Sequence, residues 1–284
     1  MAAAIVATGV AAGAQWLHQP MANAPRTRDG KVNMTGPVPR LDGKPDLSGI
    51  WQVPGDPRAA GGLFGIGESL NSKYFRDVLA DFPPDQRPLT TEGAERLRRN
   101  GVPGVFNPVL NCLPDSVVHG DLLPEPFKFI HSRGVIVMLY EVETTFRQIF
   151  MDGRALPKDP SPSWQGYSVG RWQGDTLVID TIGLNDKSWL DARGTPRSTE
   201  MRIEERFRRR DFGHLDLTIT MTDPKTFTRP ITISSSTTVS KTSRTTSGCP
   251  DGNRSLVLGS WCLVRTWSLV RPWSMVRGPR WTWD

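Results

Sequence analysis

Gly166-Tyr-Ser-Val-Gly170 fits Gly-x-Ser-x-Gly, the spacing that places a nucleophilic serine on a sharp turn. Such a serine needs a base within hydrogen-bond reach, an acid that orients the base, and N–H donors for the oxyanion. His119, His131 and His214 are candidate bases, since His18 lies beside a predicted cleavage site. In the chain order nucleophile, acid, histidine, only His214 follows Ser168. The acid then comes from Asp180, Asp186 or Asp191, the last two in the loop Asn185-Asp-Lys-Ser-Trp-Leu-Asp191. His119-Gly120 echoes a His-Gly loop that donates oxyanion N–H groups. Together these residues describe an exported acyl hydrolase for small esters, with Ser168 as nucleophile, His214 as base and Asp186 or Asp191 as orienter.

The residues around Ser168 support a competing assignment. A nucleophile elbow is strand, tight turn, helix. Here Gly170-Arg-Trp-Gln-Gly-Asp175 runs into a hairpin turn, and Val178, Ile179 and Ile182 continue as strand. Ser168 is then an ordinary strand residue, and the protein is a non-catalytic barrel. Trp51, Trp164, Trp172, Trp189 and Phe150, with His119, would line its pocket for a small apolar or sugar ligand. A third reading pairs two of Asp121, Glu125, Asp186 and Asp191 as a glycosidase, which needs carboxyls ~5–9 Å apart. His119, Asp121 and His131 follow no metal-ligand spacing. The chain also has no Cys-x-x-Cys, His-Glu-x-x-His, phosphate loop or dinucleotide fingerprint, so no cofactor is expected.

The elements that must position these groups are mostly strands. Asp46–Val53 reads as a first strand and residues 54–67 as a Gly/Pro loop. Glu68–Leu79 has helical spacing, and a second helix starts at the N-cap Thr90 and stops at Asn100-Gly101. Residues 102–132, with five prolines, read as loop. Strands follow at Val135–Val142, Phe146–Met151, Gly166–Trp172, Thr176–Thr181, Met201–Arg210 and Leu215–Met221. Arg202, Glu204, Arg206, Arg208 and Arg210 share one solvated face. The expected fold is mainly β, an antiparallel meander barrel or sandwich, with a small helical, loop-rich N-terminal part (the helical insert spans 68–101).

Residues 1–14 form a small-residue apolar run ending Ala12-Gly-Ala14 and read as a signal peptide; 15–45 reads as an extended lead-in. No later run reaches the ~20 apolar residues that span a bilayer. The expected location is secreted or periplasmic, where one disulfide among Cys112, Cys249 and Cys262 is permitted. The net charge is +6, but residues 234–284 hold seven basic and two acidic side chains, so the rest is nearly neutral and no nucleic-acid partner is expected. From 234 the text changes to Ser and Thr, then to Trp261, Trp267 and Trp273 at a period of six. This looks like a shifted reading frame. The alternative is a Trp/Arg segment that touches membrane surfaces without stable insertion.

Pro45-Asp-Leu-Ser-Gly-Ile-Trp51, Arg147-Gln-Ile-Phe-Met-Asp-Gly-Arg154, Gly170-Arg-Trp-Gln-Gly-Asp-Thr-Leu-Val-Ile-Asp180 and Glu205-Arg-Phe-Arg-Arg-Arg-Asp211 resemble a large, uncharacterised family of exported bacterial proteins common in acidobacteria and soil metagenomes. The resemblance covers roughly residues 25–233. Members often carry His where Arg197 stands, and they continue past Ile233 into another strand and a Cys-containing segment. The resemblance therefore implies a sheet without its last strand, an exposed edge, and the loss of a disulfide from Cys112. Gly49-Ile-Trp51 also resembles the Gly-x-Trp opening of lipocalin-like barrels.

Overall fold

The computed structural model describes residues 24–54, 72–102, 108, 111 and 113–239. The signal-peptide reading, the three cysteines, residues 68–71 of the first predicted helix and the chain from 240 onward lie outside the described residues. Eleven strands are described: β1 (Arg40–Leu41), β2 (Lys44–Pro45), β3 (Gly49–Gln52), β4 (Phe127–Ser132), β5 (Val135–Tyr140), β6 (Phe146–Phe150), β7 (Tyr167–Gln173), β8 (Thr176–Ile182), β9 (Arg202–Arg209), β10 (His214–Thr222) and β11 (Ile231–Val239). β1 and β2 pair as a small hairpin. The other nine close a barrel in the order β3-β4-β5-β6-β7-β8-β9-β10-β11, with β11 returning to β3. All neighbours are antiparallel except β6 and β7, which run parallel through Ile149↔Ser168 and Phe150↔Val169. The barrel is therefore mixed rather than a pure meander.

Period-2 alternation builds the wall. Leu215, Leu217, Ile219 and Met221 of β10 point inward beside Ile203 and Phe207 of β9 and Ile231 and Ile233 of β11, and all are buried. Trp51, Phe127, Phe129, Met138 and Ile149 complete the core from the other side. On β9, Arg202, Glu204, Arg206 and Arg208 alternate with these and face outward, fully or in part exposed. Among the described residues no helix is long and apolar enough to cross a membrane.

Two expectations need correction. Residues 102–132 are not all loop: helix α3 (Val117–Leu122) and β4 lie there. The Ser116 hydroxyl caps α3 by accepting from His119 N at 3.1 Å. All six helical residues are buried, so packing overrides the proline-rich text. The missing last strand is also present. Residues 231–239 form β11, and Thr238↔Gln52 and Val239↔Trp51 close the barrel. Its Ser/Thr run reads as tail, yet Ile231, Ile233, Thr237 and Val239 face inward while Ser234 and Ser236 face water. The domain thus extends at least to Val239.

Helix α1 (Lys73–Arg76) and helix α2 (Thr91–Asn100) pack outside the barrel. α2 starts at Thr90, whose Oγ1 accepts from Gly93 N at 2.9 Å and donates to Lys225 O at 2.6 Å. It stops at Gly101. Gly93 packs so closely that a Cβ would collide with Thr226 O. Gly93→Ala is therefore expected to destabilise by about 1–3 kcal/mol despite alanine's better helix propensity, read as a lower urea midpoint.

Candidate functional site

The strand register sorts the loops between the two ends of the barrel. β8 ends at Ile182 where β9 begins, and β6 and β7 start at the same end. Loop 183–201, the turn before β6 and helix α3 gather there. His214, the Gln173–Thr176 turn and the end of β4 lie at the opposite end.

This geometry separates Ser168 from His214. Ser168, Thr181, Ile203 and Met221 stand in one cross-strand row. His214 lies seven residues along β10 from Met221, roughly 20 Å at ~3.3 Å per residue. Ser168 is buried in the wall, its Oγ bonded to Thr181 Oγ1 at 2.8 Å. His214 Nδ1 is bonded to Asp211 Oδ1 at 2.7 Å. The motif's glycines also have packing reasons. Gly166 has φ +66°, and a Cβ on Gly170 would collide with Met151 Sδ.

The other predicted site residues are scattered. Asp191 is buried and fully used: it accepts from Val78 N, Arg193 N, Thr195 N and Thr195 Oγ1 at 2.6–3.0 Å, tying loop 183–201 to the segment after α1. Burial pushes its carboxyl up despite these bonds. Asp186 is exposed, and Asp180 is paired with Arg171. Trp51 is core, with Nε1 donating to Leu47 O at 2.8 Å and the Arg209 guanidinium 4.9 Å over its ring. Trp164, Trp172 and Trp189 are each half-buried, and Trp172 packs on the core. His131 accepts from Leu47 N at 3.2 Å, and burial lowers its pKa. No three His, Cys, Asp or Glu converge as a metal site among the described residues.

His119 belongs to a different constellation. Its ring stacks on Phe75 of α1 with centroids 4.5 Å apart. Its Nδ1 lies against Asp115 Oδ2, one helical turn earlier, though out of line for a hydrogen bond. Glu143, in the turn before β6, accepts from Asp115 N at 2.6 Å through Oε2. Gln165 Nε2 donates to Asp115 O at 2.9 Å. Arg197 is buried on the same side, its Nη2 donating to Trp164 O at 3.1 Å and Asn185 Oδ1 at 3.0 Å. Ser188 is buried within the same loop, three residues from Asn185 and three from Asp191.

Eleven buried side-chain N and O atoms lack a hydrogen bond among the described residues, and eight belong to Asp115, His119, Glu143, Gln165, Ser188 and Arg197. Buried polar groups are normally satisfied, so such a concentration marks a place where something else supplies the bonds. Glu143 and Thr144 have φ +52° and +51°, left-handed backbone on consecutive non-glycine residues. That conformation is costly and clusters at functional sites.

The charges are tuned as well. Burial opposes charging of His119, but Asp115 outweighs it, helped by Asp191 and Glu143, and the pKa is raised. Burial first, and Asp115 second, push the Glu143 carboxyl up to about 7. A histidine whose pKa is raised beside a carboxyl pushed up to about 7 can act as an acid–base pair.

Sequence reasoning named His119 but missed Asp115, Glu143, Gln165 and Ser188. The Asp115/His119 spacing of four was the one local signal; the rest are joined only by the fold.

A second polar cluster lies inside the barrel. Arg147 of β6 grips Glu205 of β9 through two hydrogen bonds, Nη1–Oε2 at 2.6 Å and Nη2–Oε1 at 2.5 Å. Asp121 of α3 sits 3.6 Å from Arg147 Nη2 and accepts from Tyr140 Oη at 2.7 Å.

The chain matches no protein-family model, no curated protein and no solved structure.

Proposed function

We propose that the protein is an exported hydrolase of small esters whose general base is His119, oriented by Asp115, in place of a Ser168–His214 pair. The carrying observation is a buried His119–Asp115 ion pair together with five further buried polar atoms that lack a hydrogen bond, on His119, Glu143, Gln165 and Arg197, at one end of the barrel. His119 Nε2 is buried without a partner, and takes a proton from an attacking water admitted when the covering loops shift. The hydroxide adds to the ester carbonyl. Glu143 Oε1, also unpaired, carries a proton near neutrality and donates to the developing oxyanion. The imidazolium then returns its proton to the leaving alkoxide.

The test is saturable hydrolysis of p-nitrophenyl butyrate by the purified chain. Turnover should survive Ser168→Ala, which removes only a wall contact to Thr181. Absence of saturable hydrolysis, or its loss in a folded Ser168→Ala protein, overturns the assignment.

The pH profile carries its own sign. His119 works as the neutral base, so activity rises with pH through its raised pKa and the acid limb lies above 6.5. Glu143 works protonated, so activity falls as pH rises through about 7. The expected profile is a bell with one limb at about 7, set by Glu143. Asp115→Asn removes the largest influence raising His119 and should move the acid limb to lower pH.

A lipocalin-like binding barrel is the second reading. It is favoured by the closed barrel and by a cleft of about 200 Å³ at the same end, lined by Val53, Ser72, Tyr74, Leu122 and Ser235 among others. Phe127, Phe129, Phe207 and Met138 occupy the interior, so a ligand would sit at the mouth.

A further inference from the structure

Arg197 is a fully buried charge with little to compensate it. Its side chain has no exposed surface, yet no carboxylate is bonded to it. Its described partners are a backbone carbonyl and the Asn185 amide oxygen, both on Nη2. Nε and Nη1, which carry three of the five guanidinium N–H donors, have no partner. Asp115 and Asp186 act on it only through space, and burial lowers its pKa to about 10. Burying an ion costs several kcal/mol unless an opposite charge and hydrogen bonds repay it. Arg147 shows the repaid case in the same molecule, with two bonds to Glu205.

We infer that Arg197 is a carboxylate-binding residue, and that the ligand of the His119 cluster carries an anionic group which completes its hydrogen bonds. Guanidinium N–H groups match carboxylate oxygens in geometry and give strong, charge-assisted bonds. The two sites adjoin, because Arg197 is bonded to Trp164, the neighbour of Gln165, which in turn donates to Asp115. The inference deepens the hydrolase reading by making the substrate an acid ester, with the carboxylate on Arg197 and the scissile carbonyl at His119. Arg197 has no free surface, so an anion reaches it by shifting part of loop 183–201.

The test measures binding without turnover. Thermal unfolding and titration calorimetry are run with succinate and acetate, against sodium chloride at matched ionic strength. Succinate should raise the midpoint saturably in the native protein and compete with p-nitrophenyl butyrate. A ligand that binds only the folded state must do so. The shift should vanish in Arg197→Met and persist in the surface control Arg206→Met. Should Arg197→Met fail to fold, Arg197→Lys decides: a point charge without the planar fork should bind roughly tenfold more weakly. No succinate effect in the native protein, an equal effect in Arg197→Met, or unchanged affinity in Arg197→Lys overturns the inference and leaves internal water as the partner. Ester turnover without succinate binding would sink the carboxylate site alone. Succinate binding without turnover would sink the hydrolase alone.

Discussion

His119→Ala is expected to lower kcat for p-nitrophenyl butyrate by about 10²–10⁴, the range a positioned general base supplies. The imidazole is held by three features: its place in capped helix α3, the Phe75 ring 4.5 Å away, and Asp115 against Nδ1. The same substitution leaves a void against Phe75, so a loss of stability is expected beside the loss of rate. His119→Gln separates the two effects, since it retains most of the volume and none of the basicity. A folded His119→Gln protein with wild-type kcat would remove His119 from the chemistry. Inactivity together with a native circular dichroism spectrum supports the role.

Glu205→Leu is expected to destabilise by roughly 3–5 kcal/mol, because it removes both hydrogen bonds of the buried Arg147 guanidinium to a carboxylate and leaves it only Asp121, 3.6 Å away. Pairing it with Arg147→Met should restore most of that loss, since an apolar pair of similar volume replaces the ions. Asp121→Asn is the contrasting case. Burial, and then Glu205, push the Asp121 carboxyl well above its ordinary range. A group raised in the folded state binds its proton more tightly there than in the unfolded chain. Its stabilisation is thus greatest in acid and declines as pH rises above its unfolded pKa of 3.8. Asp121→Asn should therefore be nearly neutral at low pH and become relatively stabilising as pH rises. Urea unfolding of the three variants at two pH values checks all of this.

The strands were legible where one face is apolar. Leu215–Met221 alternates without a break, and β10 covers it with one residue to spare at each end. The Thr90 cap and Gly101 stop delimited α2 for the same local reasons. The text failed where tertiary contacts decide. α3 lies in proline-rich sequence and exists because all six residues are covered. Six of the nine residues of β11 are serine or threonine, and its alternation of Ile231, Ile233, Thr237 and Val239 is too polar to stand out. On β9 the charged run hid an inward Glu205 among outward arginines, although its phase with Ile203 and Phe207 gave it away. The candidate site was legible only at His119. Its partners Glu143, Gln165 and Arg197 come from three separate segments, and a Gly-x-Ser-x-Gly match elsewhere drew the chemistry to a wall serine.

Closing the barrel through β11 and β3 joins nearly the first and last described strands of the chain. Such a wall has no free edge to recruit another chain, but only once its final stave is seated. During synthesis, strands β3 to β10 leave the ribosome as an open sheet with Trp51 and Met221 uncovered. Their burial waits for residues 231–239. The contacts that close the barrel are thus among the most distant in sequence, which predicts slow folding and a nascent chain exposed to aggregation until residues 231–239 arrive.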